Sequence, residues 1–164
     1  MAVCRRRSAD PTRGESARRR SGGGVLLCDA PGMTFQSFAD IEALIRSSWS
    51  EATCDPVDLP DWSPENPARG QCAVTALVVQ DLLGGDLLFA EVRNADGSRQ
   101  GVHYWNGFAG GIEVDLTREQ FTRSEVIQEP TVVARPPDPG AGRLARQYQA
   151  LRREVRAGLP GVRR

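Results

Sequence analysis

The chain has 164 residues; all 21 of its basic side chains are Arg, and 21 Asp and Glu bring the formal net charge to zero. That length suits one ordinary domain, and its longest apolar runs fall far short of the ~18–20 residues a membrane-crossing helix needs. Cysteines at 4, 28, 54 and 72 lack the paired spacing of a zinc module, and 40% apolar content excludes collagen-like, coiled-coil and wholly disordered chains.

The zero conceals three zones. Residues 1–24 carry seven Arg against two acids, a net of +5. Residues 25–134 carry six Arg against seventeen acids, a net of −11. Residues 135–164 carry eight Arg against two acids, a net of +6. An acidic middle is not the footprint of a nucleic-acid reader, so neither nucleic acid nor a membrane is expected as a partner. The Arg-rich ends read first as solvated tails, with docking onto the acidic middle as the alternative.

Residues 1–32 have no apolar periodicity and predict a disordered, Arg-rich extension. The apolar run Val25–Cys28 is shorter than the ~7–15 residues of a secretory signal. Met33 precedes a helix signal and is the expected true start. With no export signal, a cytoplasmic location with reduced thiols is expected.

Thr34 is placed as an N-cap. Phe35, Phe38, Ile41, Ile45 and Trp49 then recur at helical spacing, which predicts an amphipathic helix over about 35–49. Residues 50–71 contain Pro56, Pro60, Pro64 and Pro67 and predict a loop, a length that is often functional inside a small domain. Trp62 and Asn66 lie in it. Cys72 opens AVTALVVQDLLGG, a helix apolar all round and therefore buried, ended by Gly84 and Gly85. Strands are predicted over Leu87–Arg93, Gly101–Asn106 and Ile112–Leu116, with turns at 94–98 and 107–111. Thr117 with Gln120 predicts a capping box. Residues 126–133 suggest a further short strand before Pro136 and Pro137. Leu144, Tyr148, Leu151 and Val155 mark a final amphipathic helix at about 142–157. The class is α+β, a buried central helix packed against a small antiparallel sheet. Residues 33–134 form the core domain; residues 135–164 are a Pro-rich linker and a basic helix.

The hairpin register brings chemistry into view. A five-residue loop at 107–111 pairs Asn106 with Ile112 and sets His103 opposite Asp115. The chain's single histidine is thereby expected beside a carboxylate. Cys72 sits at the first turn of the buried helix, where the helix dipole and a neighbouring imidazolium both favour thiolate. Cys72 as nucleophile, His103 as proton carrier and Asp115 as its orienter form a candidate catalytic set. The Cys72 N–H with the amide of Gln71 or Asn66 would bind an oxyanion. Trp62 and Trp105 are candidate substrate walls.

The order Cys, His, Asp on helix, strand and strand resembles papain-like and transglutaminase-like cysteine enzymes. HYWNGFAGGIEVDLT resembles the transglutaminase-type hairpin, and Asn66 falls where papain-like enzymes place an oxyanion Gln. Over most of residues 35–157, WSPENPARGQCAVTALVVQDLLGG, HYWN and EVDLTREQF resemble the YunG-type family of small bacterial proteins. That resemblance implies the fold and the Cys–His–Asp set, without a substrate. The reading is a cysteine-nucleophile hydrolase or acyltransferase acting on an amide, peptide or acyl compound, with no cofactor. Two alternatives stand beside it. One is a zinc site on Cys72, His103 and Asp115; the other is a non-catalytic binding protein on the same fold.

Overall fold

The computed structural model describes residues 37–159, which lie in one compact unit. The expectations for the N-terminal extension, Met33 as start, Thr34 as cap and Phe35 fall outside these residues. Among the described residues there are three α-helices: α1 (Phe38–Ser47), α2 (Cys72–Leu83) and α3 (Ala145–Gly158). Five strands make one antiparallel sheet: β1 (Asp86–Arg93), β2 (Arg99–Phe108), β3 (Ile112–Val114), β4 (Val126–Ile127) and β5 (Thr131–Val133). The order is β3-β2-β1-β4, with β5 also on β1. The class is α+β. No helix among the described residues is long and apolar enough to cross a membrane.

The centre of the fold is α2. Its residues Val74 to Val79 are all buried, as an all-round apolar helix requires. It packs on β2 on one side and on α3 on the other. Gly84 (φ +71) and Gly85 (φ +82) end it in conformations that glycine adopts without strain. A Cβ on Gly85 would lie 2.6 Å from the Gly107 carbonyl oxygen, so this glycine also lets the end of β2 approach.

The helix α1 stops at Ser47, two residues short of the expected end. The Ser47 and Ser48 hydroxyls donate back to the Leu44 carbonyl at 3.0 and 2.8 Å, which competes with continuing the helix. Trp49, now outside the helix, still lies in the core. Its indole N–H donates to Thr75 Oγ1 of α2 at 3.0 Å. The expected strand over 126–133 is two short strands, both paired with β1.

The Arg-rich C-terminal zone is docked over its described part, which corrects its reading as a solvated tail. Tyr148, Leu151 and Val155 of α3 are core residues. Arg135 donates to the Leu77 carbonyl (3.2 Å), Gln80 Oε1 (2.9 Å) and Asp81 Oδ1 (2.6 Å). Asp81 Oδ2 accepts from the Tyr148 hydroxyl at 2.7 Å. Arg143 forms a two-pronged pair with Asp55 at 2.8 and 2.6 Å. The physical reason is charge complementarity: the acidic middle supplies the carboxylates that the late arginines meet.

Burial opposes ionisation of Asp55, but hydrogen bonds from Arg143 and the Val57 N–H outweigh it and hold the carboxyl below its ordinary 3.8. A carboxyl depressed in the folded state stabilises above its unfolded value and loses that contribution as pH falls through the folded one. Arg143→Gln should therefore lower stability near neutral pH by at most ~1 kcal/mol, since the guanidinium is largely exposed. Thermal melts of both proteins from about pH 7 to about pH 2 should show the gap closing below 3.8. A gap constant across that range contradicts the assignment.

Candidate functional site

Cys72 is the first residue of α2. Two residues earlier, Gly70 adopts φ +69, and a Cβ there would fall 2.6 Å from Cys54 Sγ and 2.7 Å from Asp58 Cβ. Glycine is thus what lets the long loop turn tightly into the helix. Gln71 is fully buried, and its amide donates to the Ser50 carbonyl at 3.1 Å, tying the two ends of that loop together.

The Cys72 residue lines a cleft of about 490 Å³, together with Asp58, Arg69, Tyr104, Gln120 and Arg143 among others. Its charges are largely self-paired: Arg69 bridges Asp58 at 2.8 Å, and Arg143 holds Asp55. Burial pushes the Cys72 thiol up to about 11, against the lowering effect of backbone hydrogen bonding from Tyr104 and Ala73. The expectation of a helix-activated thiolate is therefore corrected: loss of water outweighs the helix terminus. Cys54 is more deeply set, with its sulfur 3.3 Å from the Asp55 and Arg69 carbonyl oxygens. Burial and nearby carboxylates push it up to about 12.

His103 lies on β2 with its side chain fully buried. Nε2 is 2.8 Å from Asp115 Oδ2, and Nδ1 is 3.2 Å from the Gln120 side-chain nitrogen. That same nitrogen donates to the Thr117 carbonyl at 3.1 Å. A carbonyl oxygen accepts only from the NH2 end of a carboxamide, so Thr117 fixes which way Gln120 faces. Nδ1 is then an acceptor and the ring proton sits on Nε2, toward Asp115. The other Asp115 oxygen accepts from the Thr117 N–H and hydroxyl at 3.1 and 3.3 Å. Trp105 stacks on the imidazole at 5.1 Å, and Phe121 meets it edge-on at 4.9 Å.

The expected register needs correction. The hairpin loop is 109–111, so Asn106 pairs with Val114 and Phe108 with Ile112. The difference is two residues, and a shift of two preserves the sheet face. His103 still reaches Asp115, and the Trp105 indole still reaches Glu113, at 2.7 Å. The capping box is absent, because Thr117 serves Asp115 and Gln120 turns to the imidazole.

The relation of His103 to Cys72 is less direct. Tyr104 and Asn106 share the β2 face toward α2, where Asn106 donates to the Ala76 carbonyl at 3.0 Å. By the alternation of a strand, His103 and Trp105 point to the other face. The recorded hydrogen bonds of His103 go to Asp115 and Gln120, and none joins it to Cys72. β3 pairs only with Asn106–Phe108, which leaves β2 open at Tyr104. The backbone there is hydrogen-bonded toward the Cys72 sulfur, one residue from His103.

The remaining expected site residues lie mostly behind the cleft. The Gln71 amide is spent on Ser50. Asn66 donates to the Gln120 carbonyl at 3.4 Å and, with Gln120, lines a second, more open hollow. The Trp62 indole donates to the Pro67 carbonyl at 3.2 Å. Trp105 is buried against His103 and Glu113. None of these four is a wall of the Cys72 cleft. Among the described residues, no three or more His, Cys, Asp or Glu gather as a metal site, so the proposed zinc ligand set is not assembled.

Gln120 is the residue that the sequence reading missed. Its signal was available: a buried imidazole needs a partner on each nitrogen, and Asp115 supplies only one. Because His103 is the only histidine, its 15N-labelled spectrum is a single-residue reading. In the neutral ring it should show Nε2 protonated and Nδ1 bare. The opposite tautomer would overturn the Gln120 orientation. Gly70→Ala should destabilise by ~1–3 kcal/mol in thermal melts, through its positive φ and the contact with Cys54; an unchanged melting temperature contradicts that role.

Comparison with known proteins sets this site in a family. A curated relative, "Uncharacterized protein YunG" of Bacillus subtilis (strain 168), is 33% identical over 81 residues, covering 49% of this chain and 60% of the relative. The match thus spans under two thirds of that protein's length. No solved structure matches. The family model described as YunG protein matches residues 37–160, which include the long loop, α2, the hairpin with His103 and Asp115, and α3. The chain belongs to the YunG family.

Proposed function

We propose that the cleft over Cys72 is a site of acyl chemistry, the work of a cysteine-nucleophile hydrolase or acyltransferase built in the papain-like or transglutaminase-like manner. The observation that carries the reading is the double placement of Gln120. It lines the Cys72 cleft, and its amide occupies the Nδ1 lone pair of His103. A ligand that draws Gln120 toward the cleft frees the Nδ1 lone pair of His103, whose strand neighbour Tyr104 has its backbone at the Cys72 sulfur. Asp115 already holds that imidazole in the tautomer a base requires.

The steps balance as follows. The Cys72 S–H proton is relayed to Nδ1 by water that enters where Gln120 is displaced, and sulfur bonds to the carbonyl carbon. The carbonyl π pair becomes an oxyanion facing the Cys72 N–H at the start of α2. Collapse of the oxyanion expels the leaving group, which takes the proton back from Nδ1. The thioester is then resolved by water or an amine. With a resting thiol pushed up to about 11, the sulfur is protonated and quiet near neutral pH until the base is released.

A second reading rests on the same saturation of His103: the cleft binds a ligand and does no chemistry. Incubation with p-nitrophenyl acetate, followed by peptide mass spectrometry, separates the two. The enzyme reading expects acetyl transfer to Cys72 well ahead of Cys54, loss of it in Cys72→Ala, and a fall of about 10²–10⁴-fold in Asp115→Asn. Equally slow labelling of both thiols, unaltered by Asp115→Asn, removes the nucleophile and leaves the binding reading.

A further inference from the structure

A second cavity, of about 360 Å³, adjoins the Cys72 cleft. Ala73, Val102, Tyr104 and Arg143 line both spaces, so the two share a wall. The chemistry of the two differs. Leu77 and Leu87 of the buried core line the second cavity, with Val133 and Leu144 beside them. The cleft is polar, but its nearest charges cancel in the Asp55–Arg143 and Asp58–Arg69 pairs. Such a site offers no net charge to an ionic headgroup. It offers hydrogen bonds to a neutral polar group beside an apolar recess.

We infer that the two cavities hold a peptide-like amide whose neutral backbone lies over Cys72 and whose Leu- or Phe-sized apolar side chain fills the second cavity. At about 360 Å³ the recess takes a side chain of that size with room to spare, and it adjoins the larger cleft. Arg143, paired with Asp55, stands where the two spaces meet. This inference names a substrate class for the cysteine-nucleophile reading and rests on that reading for the chemistry, but its binding half stands without any reaction.

The test uses the full chain with methyl-labelled Leu and Val. N-acetyl-leucine amide and N-acetyl-phenylalanine amide should shift the Leu77, Leu87 and Val133 methyl signals saturably. N-acetyl-glycine amide should bind about ten- to a hundredfold more weakly, the loss expected for one unburied apolar side chain. Ala73→Leu, which fills the junction, should remove the preference for leucine over glycine. Equal binding of the three amides, absence of shifts at Leu77 and Leu87, or a preference retained in full by Ala73→Leu overturns the inference. Methyl shifts in a protein whose Cys72 takes no acetyl group would leave the amide site standing and sink only the nucleophile.

Discussion

An imidazole with no exposed surface must find a partner for each of its two nitrogens inside the protein, because an orphaned buried polar group costs ~1–3 kcal/mol. His103 meets that demand with Asp115 on Nε2 and Gln120 on Nδ1. The requirement propagates. Asp115 is steadied by Thr117, and Gln120 is aimed by the carbonyl of that same Thr117. Asn66 reaches from the Pro-rich loop to the Gln120 backbone, so the loop before α2 is linked to the segment after the hairpin. Trp105 and Phe121 seal the ring from two sides. One buried side chain thus coordinates β2, the turn at 117–121 and the loop that ends at Cys72.

The same surroundings hold both the thiol and the imidazole. Desolvation holds the thiol in its protonated form, while the only histidine spends its lone pair on an amide. Neither group is idle through weakness; each is held by a neighbour that also lines, or lies beside, the cleft. On the proposed reading, release of Gln120 would alter both at once, because Gln120 also lines the space beside the thiol. On that reading, a site so arranged would distinguish an occupied cleft from an empty one by hydrogen-bond exchange rather than by a large movement of the backbone.

Much of this was legible in the sequence, and the exceptions have identifiable causes. The unbroken apolar face of residues 73–83 could only be a buried helix. The pairing of His103 with Asp115 survived a wrong loop length because strand faces repeat every second residue. The face of His103 relative to Cys72 was not legible, since it depends on which side of the sheet α2 packs. Thr117 and Gln120 have the spacing of a capping box, yet a buried imidazole and carboxylate outcompete a short helical turn for those side chains. Gln71 is adjacent to Cys72 in sequence, but its buried amide donates across the loop to the Ser50 carbonyl. The pKa direction of the thiol was misjudged for a related reason: helix position is visible in sequence, whereas the extent of dehydration is a property of the packed molecule.

The docked C-terminal segment completes the picture of the site. Charge counting left open whether the late arginines stay in water or meet the acidic middle. Once Arg135 is fixed on Asp81 and the carbonyl end of α2, the Pro-rich segment that follows is held against the sheet. Pro136, Pro139 and Gly142 then become walls of the apolar cavity, and Arg143 closes onto Asp55 at its junction with the Cys72 cleft. The cleft and the recess are therefore not features of the α2–hairpin core alone. They exist because a basic segment, remote in sequence, neutralises two acids of the middle zone, and in doing so turns an open flank of the sheet into a bounded site.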